Sequence, residues 1–67
     1  MQNTIAVRRK QQRLSQAALA ELTAVTRQTI NAIENDKYDP SLSLAFRLAA
    51  VLNTTVDELF DEGEEAK

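Results

Sequence analysis

Apolar residues recur at helical spacing along most of this chain, and nowhere alternate in the manner of a strand. Ile5, flanked by Ala6 and Val7, marks a first helix over residues 4–12, though Arg8, Arg9 and Lys10 interrupt its apolar face. Ser15 is a good N-cap, because its hydroxyl can accept an otherwise unpaired backbone N–H. Ala18, Leu19 and Leu22 then share one face of a second helix over residues 16–23. Thr26 caps a third helix over residues 27–34, with Ile30 and Ile33 inside and Asn35-Asp36-Lys37 as its stop. Pro40 follows in a turn, with Asp39 or Ser41 as the next cap. A fourth helix spans residues 41–52. Its Leu42, Ala45, Phe46, Leu48, Ala49 and Leu52 cover more than half its circumference, so it reads as the central buried helix. Thr55 and Glu58 have capping-box spacing and open a short fifth helix that buries Val56, Leu59 and Phe60.

Composition supports this all-helical reading: the chain has one Gly and one Pro in 67 residues. It also narrows the chemistry. There is no Cys and no His, which removes disulfides, the usual zinc ligands and nucleophilic catalysis by Cys or by a His-activated Ser. Asp57 and Glu58 resemble an acid/base pair, but helix capping explains them, and no enzymatic activity is expected. No apolar run approaches the roughly 18 residues that span a membrane. The start, Met1-Gln2-Asn3-Thr4, lacks a signal-peptide layout. A cytoplasmic protein is the expectation, with no cofactor, metal or small-molecule ligand indicated.

The net charge of −2 conceals a strong asymmetry. Residues 1–33 carry a net +4, and residues 57–67 carry a net −5. A basic surface suited to an anionic partner is thus joined to an acidic end. The expected division is one domain over residues 1–60 and a frayed acidic tail over 61–67.

The second and third helices are separated by only a few residues, the layout in which a second short helix can enter the DNA major groove. Such a unit needs a small residue where its helices cross, and Ala20 supplies one. It needs an apolar plug in the turn, supplied by Val25, and a branched anchor in the second helix, supplied by Ile30. Thr26, Arg27, Gln28 and Asn31 give the third helix a polar start that could face bases.

Leu14-Ser15-Gln16, Leu19-Ala20, Arg27 to Glu34, Lys37 to Leu42 and Val56 to Phe60 together resemble the phage-repressor/Cro type of helix-turn-helix, over about residues 4–60. That resemblance implies a compact five-helix domain that binds operator DNA as a two-fold dimer and regulates transcription. Position by position, it implies base contacts by Arg27, Gln28 and Asn31, and backbone contacts by Gln16, Thr26, Thr29, Asn35 and Lys37. It also implies an Arg9–Glu34 ion pair linking the first helix to the end of the third. For dimerisation we expect the fifth helix and the loop before it, through Val56, Leu59 or Phe60, with Asp39 nearby. Without room for a ligand domain, repression is the expected mode. The alternative is a protein-binding module, such as the antitoxin of a toxin–antitoxin pair, docking through the acidic end. The chain departs from the family at Ala24 and Asp36, both commonly Gly, and at Arg8, where an apolar residue is usual. An Ala at positive φ costs roughly 1 kcal/mol.

Overall fold

A computed structural model describes residues 2–61. Five helices follow one another: α1 (Ile5–Gln11), α2 (Gln16–Thr23), α3 (Arg27–Glu34), α4 (Leu42–Val51) and α5 (Val56–Leu59). They are framed by two short strands, β1 (Gln2–Asn3) and β2 (Phe60–Asp61), which pair antiparallel with Gln2 opposite Asp61 and Asn3 opposite Phe60. The architecture is the all-α, phage-repressor-like one, with the two ends of the described segment joined by this ladder. Asp61, assigned to the tail by sequence, pairs through its backbone; residues 62–67 lie outside the described part.

Local chemistry sets the helix starts. Ser15 Oγ accepts from the Ala18 N–H, Thr26 Oγ1 from Thr29, Ser41 Oγ from Leu44 and Thr55 Oγ1 from Glu58. Each side chain thus pairs one backbone donor that the first helical turn leaves open. Of the two caps considered before α4, Ser41 is the one used. The capping box at α5 is only half formed. The Glu58 carboxylate accepts from the Thr54 hydroxyl at 2.9 Å instead of turning back to the Thr55 N–H.

The helix ends share a second device. Arg13, Ala24, Asp36 and Asn53 all have φ near +60°, in the left-handed region. After each of them the next N–H returns to a carbonyl five residues earlier: Leu14 to Arg9, Val25 to Ala20, Lys37 to Ala32 and Thr54 to Ala49. This Schellman closure favours glycine, yet none of the four is glycine. Leu14 and Val25, which follow two of these turns, tuck half-buried against the core.

The core gathers Ile5, Leu19, Ala20, Ile30, Ile33, Leu44, Leu48, Ala49, Leu52 and Leu59. The expected burial of α4 needs correcting. Its inner stripe is Leu44, Ala45, Leu48 and Ala49, continued by Leu52, whereas Leu42 is 68% exposed and Phe46 59%. The helix has more apolar circumference than its neighbours cover. Leu59 also needs correcting as a dimer contact: it is fully buried in the core and cannot reach another subunit. Val56 and Phe60 are half-buried against that core, and Asp39 is exposed.

Candidate nucleic-acid interface

The connector between α2 and α3 is Ala24-Val25-Thr26. Ala24 turns the chain with φ 63° and ψ 38°, Val25 plugs into the core, and Thr26 starts α3. Ala20, 3% exposed, is a small buried side chain of α2, the helix that packs against α3. Ile30 and Ile33 anchor the inner face of α3. Three residues on one wall of that helix, Arg27, Gln28 and Asn31, are exposed. Their side chains form no hydrogen bond or ion pair among the described residues, so their donors and acceptors stay open to a ligand.

The residues expected near the DNA backbone divide into two groups. Thr26 and Lys37 are exposed, and Asn35 is exposed while donating from Nδ2 to the Asn31 carbonyl at 2.8 Å. Thr29 is half-buried, and its hydroxyl lies 3.0 Å from that of Thr26. Gln16 is half-buried, and its Nε2 donates to Glu34 Oε1 at 2.9 Å, so it braces the end of α3.

Glu34 is the centre of a buried polar node. Arg9 Nε donates to Glu34 Oε2 at 2.7 Å, and Arg9 Nη2 to Glu34 Oε1 at 3.3 Å. Arg9 Nη1 donates to the Leu14 carbonyl at 2.8 Å. The two charged side chains are only 10% and 6% exposed. Bidentate geometry in a dry setting makes these bonds strong and directional. The node joins α1, the entry to α2 and the exit of α3, which fixes how α3 is presented. Arg8, the residue in place of an apolar one, is half-buried and donates from Nε to the Thr4 hydroxyl at 2.9 Å.

Two tethers were not visible in the sequence. Asn3 Oδ1 accepts from the Ile5 N–H, and its Nδ2 donates to the Ile33 carbonyl at 2.8 Å. One side chain therefore starts α1 and caps the last turn of α3. Gln12 Nε2 donates to the Leu52 carbonyl at 2.9 Å at the end of α4. Only the Asn3 side chain left a local signal, an Asx residue two positions before the first helical N–H.

A short bihelical unit with an open polar wall on its second helix, locked at the far end, defines a helix-turn-helix DNA-binding domain. The helix-turn-helix family matches residues 5–59, and the chain belongs to that family, in its phage-repressor/Cro-type form. It is 43% identical over 60 residues to an uncharacterized HTH-type transcriptional regulator of Methanocaldococcus jannaschii, a match covering 90% of this chain and 91% of that one. Further relatives carry the same description of HTH-type transcriptional regulator. Among solved structures, the SinR/SinI protein complex superposes with a TM-score of 0.80 at 31% identity, over 94% of this chain and 62% of that chain. A hydroxypropylphosphonic acid epoxidase of S. wedmorenis superposes with a TM-score of 0.77 at 34% identity. That match covers 85% of this chain but 30% of the epoxidase, so what the two share is the domain fold and not a reaction. The protein is thus a DNA-binding regulator by family. No helix among the described residues is long and apolar enough to cross a membrane.

Proposed function

We propose that this protein is a sequence-specific transcriptional repressor that binds a pseudo-palindromic operator as a homodimer. The observation that carries this reading is the unpaired, exposed wall of Arg27, Gln28 and Asn31 on a helix whose exit is held by a buried ion pair. Arg27 can donate a bidentate pair to guanine O6 and N7 in the major groove. Gln28 can pair with adenine N6 and N7 in the same way, and Asn31 reaches one turn further along the groove. Lys37 and the Thr26 hydroxyl serve phosphates, as do the open N–H groups at the start of α3. Thr29, Asn35 and Gln16 complete the contacts to the DNA backbone.

A single domain reads only a few base pairs, too few to mark one site among roughly 10⁶–10⁹ competitors. Two copies related by a two-fold axis double the reading and set their α3 helices about 34 Å apart, one turn of DNA. Occupying promoter DNA is then sufficient for repression. Selection of bound duplexes from a random library, followed by sequencing, tests the proposal. Two inverted half-sites one helical turn apart are expected. No enriched motif at moderate salt overturns it. Deleting residues 62–67 leaves operator affinity intact here, whereas a module docking through its acidic end would lose its protein partner.

A further inference from the structure

Large apolar side chains stand singly exposed on α1 (Val7) and α2 (Leu22), but on the solvent side of α4 they form a row. The exposed residues of α4 are Leu42, Ser43, Phe46, Arg47 and Ala50, and Arg47 is the one charge among them. Leu42, Phe46 and Ala50 recur every fourth residue and so form one row along the helix. Tyr38, in the turn before the helix, is also exposed, at 51%. Leaving a Leu and a Phe largely in water forgoes the stabilisation that burying them would bring. An apolar row of this kind marks an interaction face.

We propose that this row is the contact between two copies of the chain; the inference rests on the homodimer reading above and gives it a location. The charges around the row argue for a second copy. A single Arg beside apolar side chains does not serve a phosphate backbone or an anionic membrane. Asp39 precedes the row and Arg47 sits one position past Phe46, so the patch has one charge of each sign, displaced along its length. A two-fold contact must complement itself. Two α4 helices crossing antiparallel, with the axis level with residue 44, set Leu42 of each copy against Phe46 of the other. The same crossing brings Tyr38 over the small Ala50 and Asp39 of one copy toward Arg47 of the other. A parallel crossing would oppose Arg47 to itself. The contact is modest: a stable interface takes about 800 Å² from each partner, and α4 is a ten-residue helix. The dimer is therefore concentration-dependent and completed on DNA.

Sedimentation equilibrium of the full chain tests this. The wild type is expected to show a monomer–dimer equilibrium. A Leu42→Glu, Phe46→Glu double variant should raise the dissociation constant at least about tenfold. Both side chains are exposed in the monomer, so the variant keeps its fold, which far-UV circular dichroism checks. Asp39→Arg alone should weaken the dimer, and adding Arg47→Asp should restore it. A double Glu variant as dimeric as the wild type overturns the placement on α4 and leaves the homodimer reading standing. A wild type that stays monomeric both alone at its highest soluble concentration and on a duplex carrying two inverted half-sites overturns both.

Discussion

At the start of α3, Arg27, Gln28 and Asn31 face solvent with no partner for their side-chain polar atoms among the described residues, while at its end Glu34 accepts three hydrogen bonds from Arg9 and Gln16. The two ends are seven residues apart on one short helix. Their difference separates holding from reading. The end that fixes the helix in the fold is buried and fully paired, so its residues are constrained by stability. The end offered to a partner is exposed and held by its backbone cap, so its side chains can change without disturbing the core. Such an arrangement lets one scaffold present different reading residues.

The most forceful way to break this comparison is to open the locked end. Glu34→Ala strands the Arg9 guanidinium in a dry site with only the Leu14 carbonyl for a partner. Removing one member of a buried pair costs about 3–5 kcal/mol, a large share of what a small domain has. Urea unfolding should show that loss, and replacing both Arg9→Met and Glu34→Leu should recover much of it. A loss below about 1 kcal/mol would class the pair with exposed bridges.

The open end should respond in the opposite manner. Arg27→Ala is expected to change stability by no more than about 0.5 kcal/mol, as is usual for an exposed site. In competition binding it should lower base discrimination by about 1–3 kcal/mol, with one position of the selected site losing its preference. Lys37→Ala should weaken all sequences alike and reduce the salt dependence by about one charge. An Arg27→Ala variant that unfolds easily would join the two ends that the structure separates.

Between these ends lies the cap. Thr26→Ala removes the acceptor of the Thr29 N–H and the partner of the Thr29 hydroxyl. A loss of about 1 kcal/mol in stability is expected, most of it recovered by Thr26→Ser. Thermal unfolding measures it.

The parts of this molecule legible in the sequence are those fixed by near neighbours. The bounds of α2 and α3 follow from Ser15, Thr26 and the apolar spacing between them, because a cap and its acceptor lie three residues apart. The polar start of α3 was visible for the same reason. What was not legible depends on contacts distant along the chain. Counting apolar residues in α4 cannot say which of them a neighbour covers, so Leu42 and Phe46 read as core. The β1–β2 ladder is too short to carry a period, and it joins residues 57 and 59 positions apart. Gln16 carries no local sign that its amide turns to Glu34, because that partner is 18 residues away. Leu59 read as an interface candidate because periodicity cannot distinguish the outer side of a short helix from the inner one.

The smallest effect bears on the turn that delivers α3. Ala24 sits at φ 63°, where its Cβ crowds the backbone at a cost of roughly 1–2 kcal/mol. Ala24→Gly removes that strain but loosens the unfolded chain, which returns about 0.4–1 kcal/mol. The net expectation is a gain of about 0.5–1 kcal/mol, seen as a melting temperature several degrees higher for a domain of this size. Arg13→Gly, at φ 61°, should behave similarly. Asn53→Gly, at φ 60°, should gain least, since Asn tolerates the left-handed region. None of the three touches the open wall of α3, so the selected DNA sequence should stay the same while stability rises. A shift in base preference on Ala24→Gly would mean that the strained turn, and not the Arg9–Glu34 node alone, sets the pitch of the helix.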